Sequence, residues 1–329
     1  VMVPTRELAI QIKGVFDDLG KFTGIQTAAI IGGVDIAPQI KQLEDGALIL
    51  VATPGRIMDM VHKGILNLKK IDYLVLDEAD HMLDKGFYGD IQKLITFLPR
   101  RRQTLFFSAT INETIKDLAY ALVSKPVKIQ ISPKDPVSKN VEHAVLYVAM
   151  DDKRFFLERV IRENEDKKIL VFVRTKVRAE RVLKAMERVG IHTEAIHGDK
   201  GQDTRFQVLE DFNSGRLKVV IATDVSARGI DIKGVEYVIN YDLPDVAENY
   251  VHRVGRTGRA GHRGQAISFC SEEEKQILSQ IESYLTKPIR QMEIKKSDYE
   301  ETLVLSEENP HDWKSLIEEA EQPKKKKRK

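Results

Sequence analysis

The chain has 329 residues, room for two domains at about 150 residues each, and its 42% hydrophobic and 31% charged composition excludes a wholly disordered chain. No run reaches the length of about 18 apolar residues that a membrane span needs. A single cysteine, Cys270, excludes an internal disulfide and a cysteine zinc site and fits a reducing, cytoplasmic setting. The net charge of +2 hides an asymmetry: residues 324–329 are all basic, and without them 46 basic residues face 50 acidic ones.

The start, Val1-Met2-Val3-Pro4, has neither the basic nor the apolar region of a signal peptide. Short apolar runs then alternate with helical patterns. Residues 27–31, 47–52, 73–76 and 104–107 read as buried strands, followed later by 168–173, 193–196, 218–222, 237–240 and 265–269. Continuous apolar runs with amphipathic stretches between them, such as 176–189, predict parallel sheets covered by helices on both faces. The segment ISPKDPVSKN, residues 131–140, carries two prolines and no periodicity. It divides the chain into an α/β domain at 1–132, a linker at 133–140 and a second α/β domain at 141–290. Ser271 followed by three glutamates reads as the start of a closing helix. From 291 to 329 the sequence is polar and charged and is expected to be a disordered basic tail.

Ligands of open α/β sheets gather at the carboxyl ends of the strands, so the residues after each apolar run carry the functional information. After 73–76 comes Asp77-Glu78-Ala79-Asp80. An acidic pair leaving a buried strand suits Mg²⁺ and an attacking water, although acidic residues also favour a helix N-terminus for electrostatic reasons alone. Ser108-Ala109-Thr110 follows 104–107 and reads either as a relay of two hydroxyls or as a helix cap. Thr53-Pro54-Gly55-Arg56 can hold phosphate at a helix start or form a plain turn. Gly32-Gly33 allows close backbone approach. In the second half, Thr223 to Asp231 (TDVSARGID) follows the strand at 218–222. His252-Arg253-Val254-Gly255-Arg256-Thr257-Gly258-Arg259 spaces three arginines by three, which would place them on one side of a helical turn. Arginines so placed can stabilise the charge of a transferring phosphoryl group.

Taken in order, Pro4-Thr5-Arg6-Glu7-Leu8-Ala9, Gly32-Gly33, Thr53 to Arg56, Asp77 to Asp80, Ser108 to Thr110, Val171-Phe172-Val173-Arg174-Thr175, Gln202 with Arg205, Thr223 to Asp231 and His252 to Arg259 resemble the motifs of a DEAD-box RNA helicase of superfamily two. The resemblance runs from Val1 to about Phe269. The segment from Asp77 to Phe87 and the short basic tail are similar to bacterial RhlE-like members. It implies two RecA-like domains in tandem that close on ATP and RNA, bend one strand and open a short duplex. Asp77 would hold Mg²⁺ through water, and Glu78 would orient the hydrolytic water. Gly229 and Asp231 would contact ATP, with Asp231 at the ribose, and Arg256 and Arg259 would reach its γ-phosphate. Asp80, Ser108, Thr110 and His252 would couple hydrolysis to strand separation. Pro4, Thr5, Arg6, Gly33, Thr53, Gly55, Arg56, Arg174, Thr175 and Thr223 would line the RNA path, mostly through sugar and phosphate. The resemblance implies ribosome or RNA-decay assemblies as partner classes and no membrane.

The pattern departs in one respect. No G-x-x-x-x-G-K-[ST] phosphate loop is present. The nearest stretch, Gly14 to Lys21, has five residues between its glycines, and Phe22 follows the lysine. The expectation is an amino-terminally incomplete copy of a helicase, its first domain lacking a central strand and so exposing apolar surface and unpaired edges. The alternative is an RNA-binding module built on the second domain and unable to use ATP. A DNA helicase of the same superfamily is a third reading.

Overall fold

The computed structural model describes residues 1–110, 113–123, 125–131, 136–227, 232–259 and 261–304. They fall into two units, the first comprising residues 1–131 and the second residues 136–227 and 232–304. All strand pairs in both are parallel, as the continuous apolar runs predict.

The first unit begins with α1 (Arg6–Gly20), β1 (Thr27–Ile30), α2 (Ala37–Glu44), β2 (Ile49–Ala52) and α3 (Pro54–His62). It continues with β3 (Tyr73–Leu76), α4 (Ala79–Asp84), α5 (Tyr88–Phe97), β4 (Gln103–Phe106) and α6 (Glu113–Leu122). Strand β1 pairs with β2, and β3 with β4. Met2 bridges both Ala52 and Leu76, so residues 1–3 run between β2 and β3 and join the two pairs. The Met2 amide donates to the Val75 carbonyl at 2.7 Å, and the Asp77 amide donates to the Met2 carbonyl at 3.0 Å. Two apolar clusters cover the sheet. One gathers Met2, Ala28, Ile30, Leu76 and Met82, and the other gathers Val3, Ala9, Ile31 and Val51. Strand β4 is only half-buried, Phe107 after it is exposed, and Val127, Ile129 and Ile131 are exposed at alternate positions.

The second unit holds β5 (Val141–Tyr147), α7 (Lys153–Arg162), β6 (Ile169–Val173), α8 (Lys176–Arg188), β7 (Thr193–Ile196) and α9 (Gln202–Ser214). After these come β8 (Val219–Thr223), α10 (Asp224–Ala227), β9 (Tyr237–Asn240), α11 (Ala247–Val254) and β10 (Gly264–Cys270). A short 3-10 turn (Glu272–Glu274), α12 (Lys275–Leu285), β11 (Arg290–Gln291) and α13 (Lys296–Val304) complete it. Its seven strands run in the order β11-β5-β10-β9-β6-β8-β7. The central β6 and β8 are buried along their whole lengths, covered on both faces by helices.

Two elements differ from the sequence expectation. Strand β5 is a full seven-residue partner of β10, although Glu142 and His143 break its apolar run. The ordered unit also extends beyond residue 290, where a polar tail was expected. Through residue 304 the chain adds β11 to the sheet and docks α13 on α7. Tyr299 packs on Phe156 with ring centroids 4.8 Å apart, and its hydroxyl donates to Asp152 at 2.7 Å. One aromatic anchor and the Arg159–Thr302 hydrogen bond at 2.6 Å hold a helix whose composition reads as solvated. The remainder of the expected tail, residues 305–329, lies outside the described residues.

Candidate functional site

In the first unit the sequence-selected residues follow residues 1–3 and the carboxyl ends of β1 to β4, where helices begin. Thr5 caps α1, its hydroxyl accepting from the Leu8 amide at 3.2 Å. Its neighbour Arg6 lays its guanidinium against Gly32 and Gly33. Gly33 has φ of +74°, and a Cβ there would overlap the Arg6 guanidinium. Backbone conformation therefore favours glycine here, and any side chain would push the Arg6 guanidinium away. Thr53 and Pro54 open α3 and are buried, as is Pro4. Gly55, in the first turn, faces open space. Arg56 reaches back to donate to the Val34 carbonyl at 2.9 Å, tying α3 to the loop after β1. Two helix N-termini and two arginines thus border a single loop, an arrangement that favours anions. Gly33→Ala is expected to displace Arg6 and to weaken binding of single-stranded RNA about 10-fold, the order of one lost charged hydrogen bond, as read by fluorescence anisotropy.

The acidic turn follows β3. The Glu78 amide donates to the Asp77 carboxylate at 2.9 Å. Glu78 itself has φ of +50° and ψ of +49°, a left-handed conformation uncommon for any residue but glycine. Such strain concentrates where a side chain must be aimed. Its carboxylate lies 3.3 Å from Nδ1 of the buried His81. Asp80 turns the other way and accepts from the Thr110 amide at 3.0 Å and the Thr110 hydroxyl at 3.2 Å. The Ser108 hydroxyl donates to the Thr110 carbonyl at 2.7 Å. The turns after β3 and β4 are therefore one hydrogen-bonded piece.

Burial pushes the Asp77 carboxyl above the usual carboxylate range, and the charges of Glu78 and Asp80 add to that, against the lowering effect of the Glu78 amide. This carboxylate opposes folding at pH values above its own raised pKa, and the opposition vanishes once acid protonates it in both states. A divalent cation would relieve the same repulsion. Among the described residues no cluster of three or more His, Cys, Asp or Glu forms a ready metal cage. The donors here suit a hard cation held by one carboxylate and water. Asp77→Asn is accordingly expected to raise the denaturation midpoint of the first unit at neutral pH without added divalent cation, and to remove any stabilisation by Mg²⁺.

In the second unit the carboxyl ends of β6, β8, β9 and β10 carry the corresponding residues. Thr175 caps α8 by accepting from the Arg178 amide at 3.1 Å. The Thr223 hydroxyl donates to the Ser226 hydroxyl at 3.3 Å. Arg253, 1% exposed, lies beside the face of Phe172 and makes a bidentate pair with Asp224 at 2.6 and 2.7 Å. Its third nitrogen donates to the Asp242 carbonyl at 2.7 Å and Asn240 Oδ1 at 3.3 Å.

The arginine series does not share one side of a helix, as the spacing predicted. Helix α11 ends at Val254, so His252 and Arg253 lie in its last turn while Arg256 and Arg259 lie beyond it. Arg253 is drawn inward by Asp224, Arg256 is half-buried and Arg259 is exposed. Each of the last two donates through Nε to the carbonyl four residues back, Arg256 to His252 at 3.3 Å and Arg259 to Gly255 at 2.8 Å. Gly258, with φ of +69°, lets this segment cross Val141 and Asn140 at the start of β5. Gly229 and Asp231, expected at ATP, lie outside the described residues.

Sequence reasoning missed a second set of charged residues beneath Arg174. Glu274, 2% exposed, accepts from Arg174 Nη2 at 2.8 Å and from Lys153 Nζ at 2.5 Å. Lys153 is fully buried, and Asp242 pairs with Arg178 and accepts from the Arg174 amide at 3.1 Å. These residues are 121 positions apart at the extremes, so no local motif announces them. The one local sign was Ser271 with Glu274, which forms a capping box.

Known proteins resemble this arrangement over most of its length. The DEAD/DEAH box helicase family model matches residues 1–118, and the helicase conserved C-terminal domain matches residues 152–261. The chain is 39% identical over 293 residues to ATP-dependent RNA helicase DbpA of Bacillus subtilis, covering 89% of this chain and 61% of that protein. It is 43% identical over 291 residues to ATP-dependent RNA helicase RhlB of Shewanella woodyi, covering 88% of this chain and 66% of that protein. It therefore spans less than two thirds of the length of either. A solved structure of S. cerevisiae Dbp5 bound to RNA and ADP BeF3 superposes with a TM-score of 0.81 at 31% identity, covering 93% of this chain and 79% of that one.

Proposed function

The chain belongs to the DEAD-box family of RNA helicases, and from that premise we propose that the protein is an ATP-dependent RNA helicase that opens short RNA duplexes. The observation that carries this reading is the acidic turn after β3: an aimed, strained Glu78 beside a desolvated Asp77, with Asp80 bound to Thr110 of the next strand's turn.

In this reading Asp77 holds Mg²⁺ through water, and the ion would offset charge on the ATP phosphates. Glu78 orients the attacking water from its left-handed backbone position. Asp80, tied to Thr110, makes any shift at the acidic turn a shift of the Ser108–Thr110 turn as well. Arg256 and Arg259 stabilise the charge of the transferring phosphoryl group, and His252 is linked to Arg256 through its own carbonyl. Arg6, Gly33, Thr53, Gly55 and Arg56 in the first unit, and Arg174, Thr175 and Thr223 in the second, hold the RNA backbone without reading its sequence. Closure of the two units on ATP and RNA, bending one strand, is the proposed source of duplex opening. At finer grain we read the protein as RhlE-like, from the segment Asp77 to Phe87, and as cytoplasmic, working on ribosomal or decaying RNA.

The test is strand release from a fluorescently labelled short RNA duplex by the native protein. Release that requires ATP supports the helicase. RNA binding with neither release nor ATP hydrolysis supports instead an RNA-binding module built on the second unit. Faster release from DNA duplexes than from RNA would point to a DNA helicase.

A further inference from the structure

We propose that Glu274, seated on the buried Lys153, is a positioning residue that presents Arg174 to an RNA phosphate; this rests on the reading of Arg174 as part of the RNA-holding face. Glu274 lies beyond residue 261, where the helicase match ends.

The geometry starts from one carboxylate with no room to move. Glu274 Oε2 accepts from Lys153 Nζ at 2.5 Å, the Ser271 amide at 3.1 Å and the Ser271 hydroxyl at 3.3 Å. Its other oxygen accepts from Arg174 Nη2 at 2.8 Å and the Leu243 amide at 3.2 Å. Five donors, from α7 and from the segments after β6, β9 and β10, thus converge on a side chain 2% exposed. A carboxylate this buried is stable only with such pairing. Lys153, in turn, is fixed by Glu274 and by the Tyr241 carbonyl at 2.8 Å.

Arg174 is the member of the network that reaches solvent, its side chain 32% exposed. Nη2 is taken by Glu274, and Nε faces the Leu243 carbonyl at 3.3 Å and the exposed Asp245 at 3.2 Å. No described residue bonds Nη1, which is left to an incoming oxygen. Arg174 is held by Glu274 on its buried side and by the exposed Asp245 at Nε, so the edge carrying Nε and Nη2 is fixed while Nη1 points away from it. An arginine held along one edge loses less freedom on binding than a free one, so the contact is stronger for being prepared.

The experiment measures affinity of the native protein for a labelled single-stranded oligoribonucleotide across a series of salt concentrations, in wild type, E274Q, R174Q and the double variant. Glutamine keeps the shape of Glu274 but turns an amide toward donors that need an acceptor. E274Q is expected to lower affinity about 10-fold and to reduce the salt slope by about 0.7, the share of one phosphate contact. In the R174Q background it should change neither. Equal weakening by E274Q in both backgrounds would show a general structural role and overturn the proposal. R174Q that leaves affinity and slope unchanged would overturn the RNA-face reading itself, independently of Glu274. Where E274Q does not reach the native fold, R174K at the partly exposed position asks the same question. A lysine keeps the charge but not the held fork, so affinity should fall nearly as far as in R174Q, and wild-type affinity would overturn the proposal.

Discussion

Under the proposed function, Glu78→Gln is expected to lower RNA-stimulated phosphate release by about 10²–10⁴-fold, the range of a positioned acid–base group, while leaving RNA affinity at its wild-type value. The substitution keeps side-chain length and the left-handed backbone of Glu78, so the link between the turns after β3 and β4 is undisturbed. It removes the carboxylate charge that, in the proposed reading, aims the water, and leaves a neutral amide beside His81 Nδ1. A variant that loses RNA affinity in parallel with hydrolysis would mean that Glu78 supports the fold of the turn rather than the reaction.

Arg253→Met destabilises the second unit by about 3–5 kcal/mol, the cost of breaking one partner out of a buried ion pair. Methionine fills much of the volume beside Phe172 but leaves Asp224, Asn240 Oδ1 and the Asp242 carbonyl without their donor. Because Asp224 opens α10 directly after Thr223, the loss also frees the turn after β8. The expected reading is a second-unit transition at lower urea concentration, with the first-unit transition unchanged. Arg253→Lys should recover little, since one ammonium cannot reproduce a bidentate pair and a third bond in the same plane.

The parallel sheets were legible because their strands are buried on both faces, which writes them as unbroken apolar runs such as residues 169–173 and 219–223. Strand β5 was not. It lies toward the side of the sheet, with Glu142 exposed and His143 half-buried, and its pattern alternates too weakly to stand out beside a proline-rich segment. Helix α13 was hidden for a different reason: its hold on α7 depends on Tyr299 and Thr302 meeting Phe156 and Arg159, contacts that exist only after folding.

The site divides along the same line. Residues that leave a strand end together, such as Asp77 to Asp80 and Ser108 to Thr110, are readable as strings. The hydrogen bond that joins those two strings is not, since it spans 30 positions. Charged side chains are the least legible of all. Nothing in the sequence marks Lys153, Glu274 reads as part of a helix start and Arg253 as one of three equivalent arginines, yet each is buried in a charge network. Burial of a charge follows from its partners, and the partners are set by topology.

The central claim is that the acidic turn and the arginines after α11 serve RNA-dependent phosphoryl transfer. The most direct measurement is phosphate release from ATP by the native protein, with and without single-stranded RNA, in the presence of Mg²⁺. The account predicts release that rises with RNA and falls by about 10²-fold or more in Asp77→Asn, Glu78→Gln and Arg256→Gln. Release at the same rate with and without RNA, or persisting in all three variants, would contradict it.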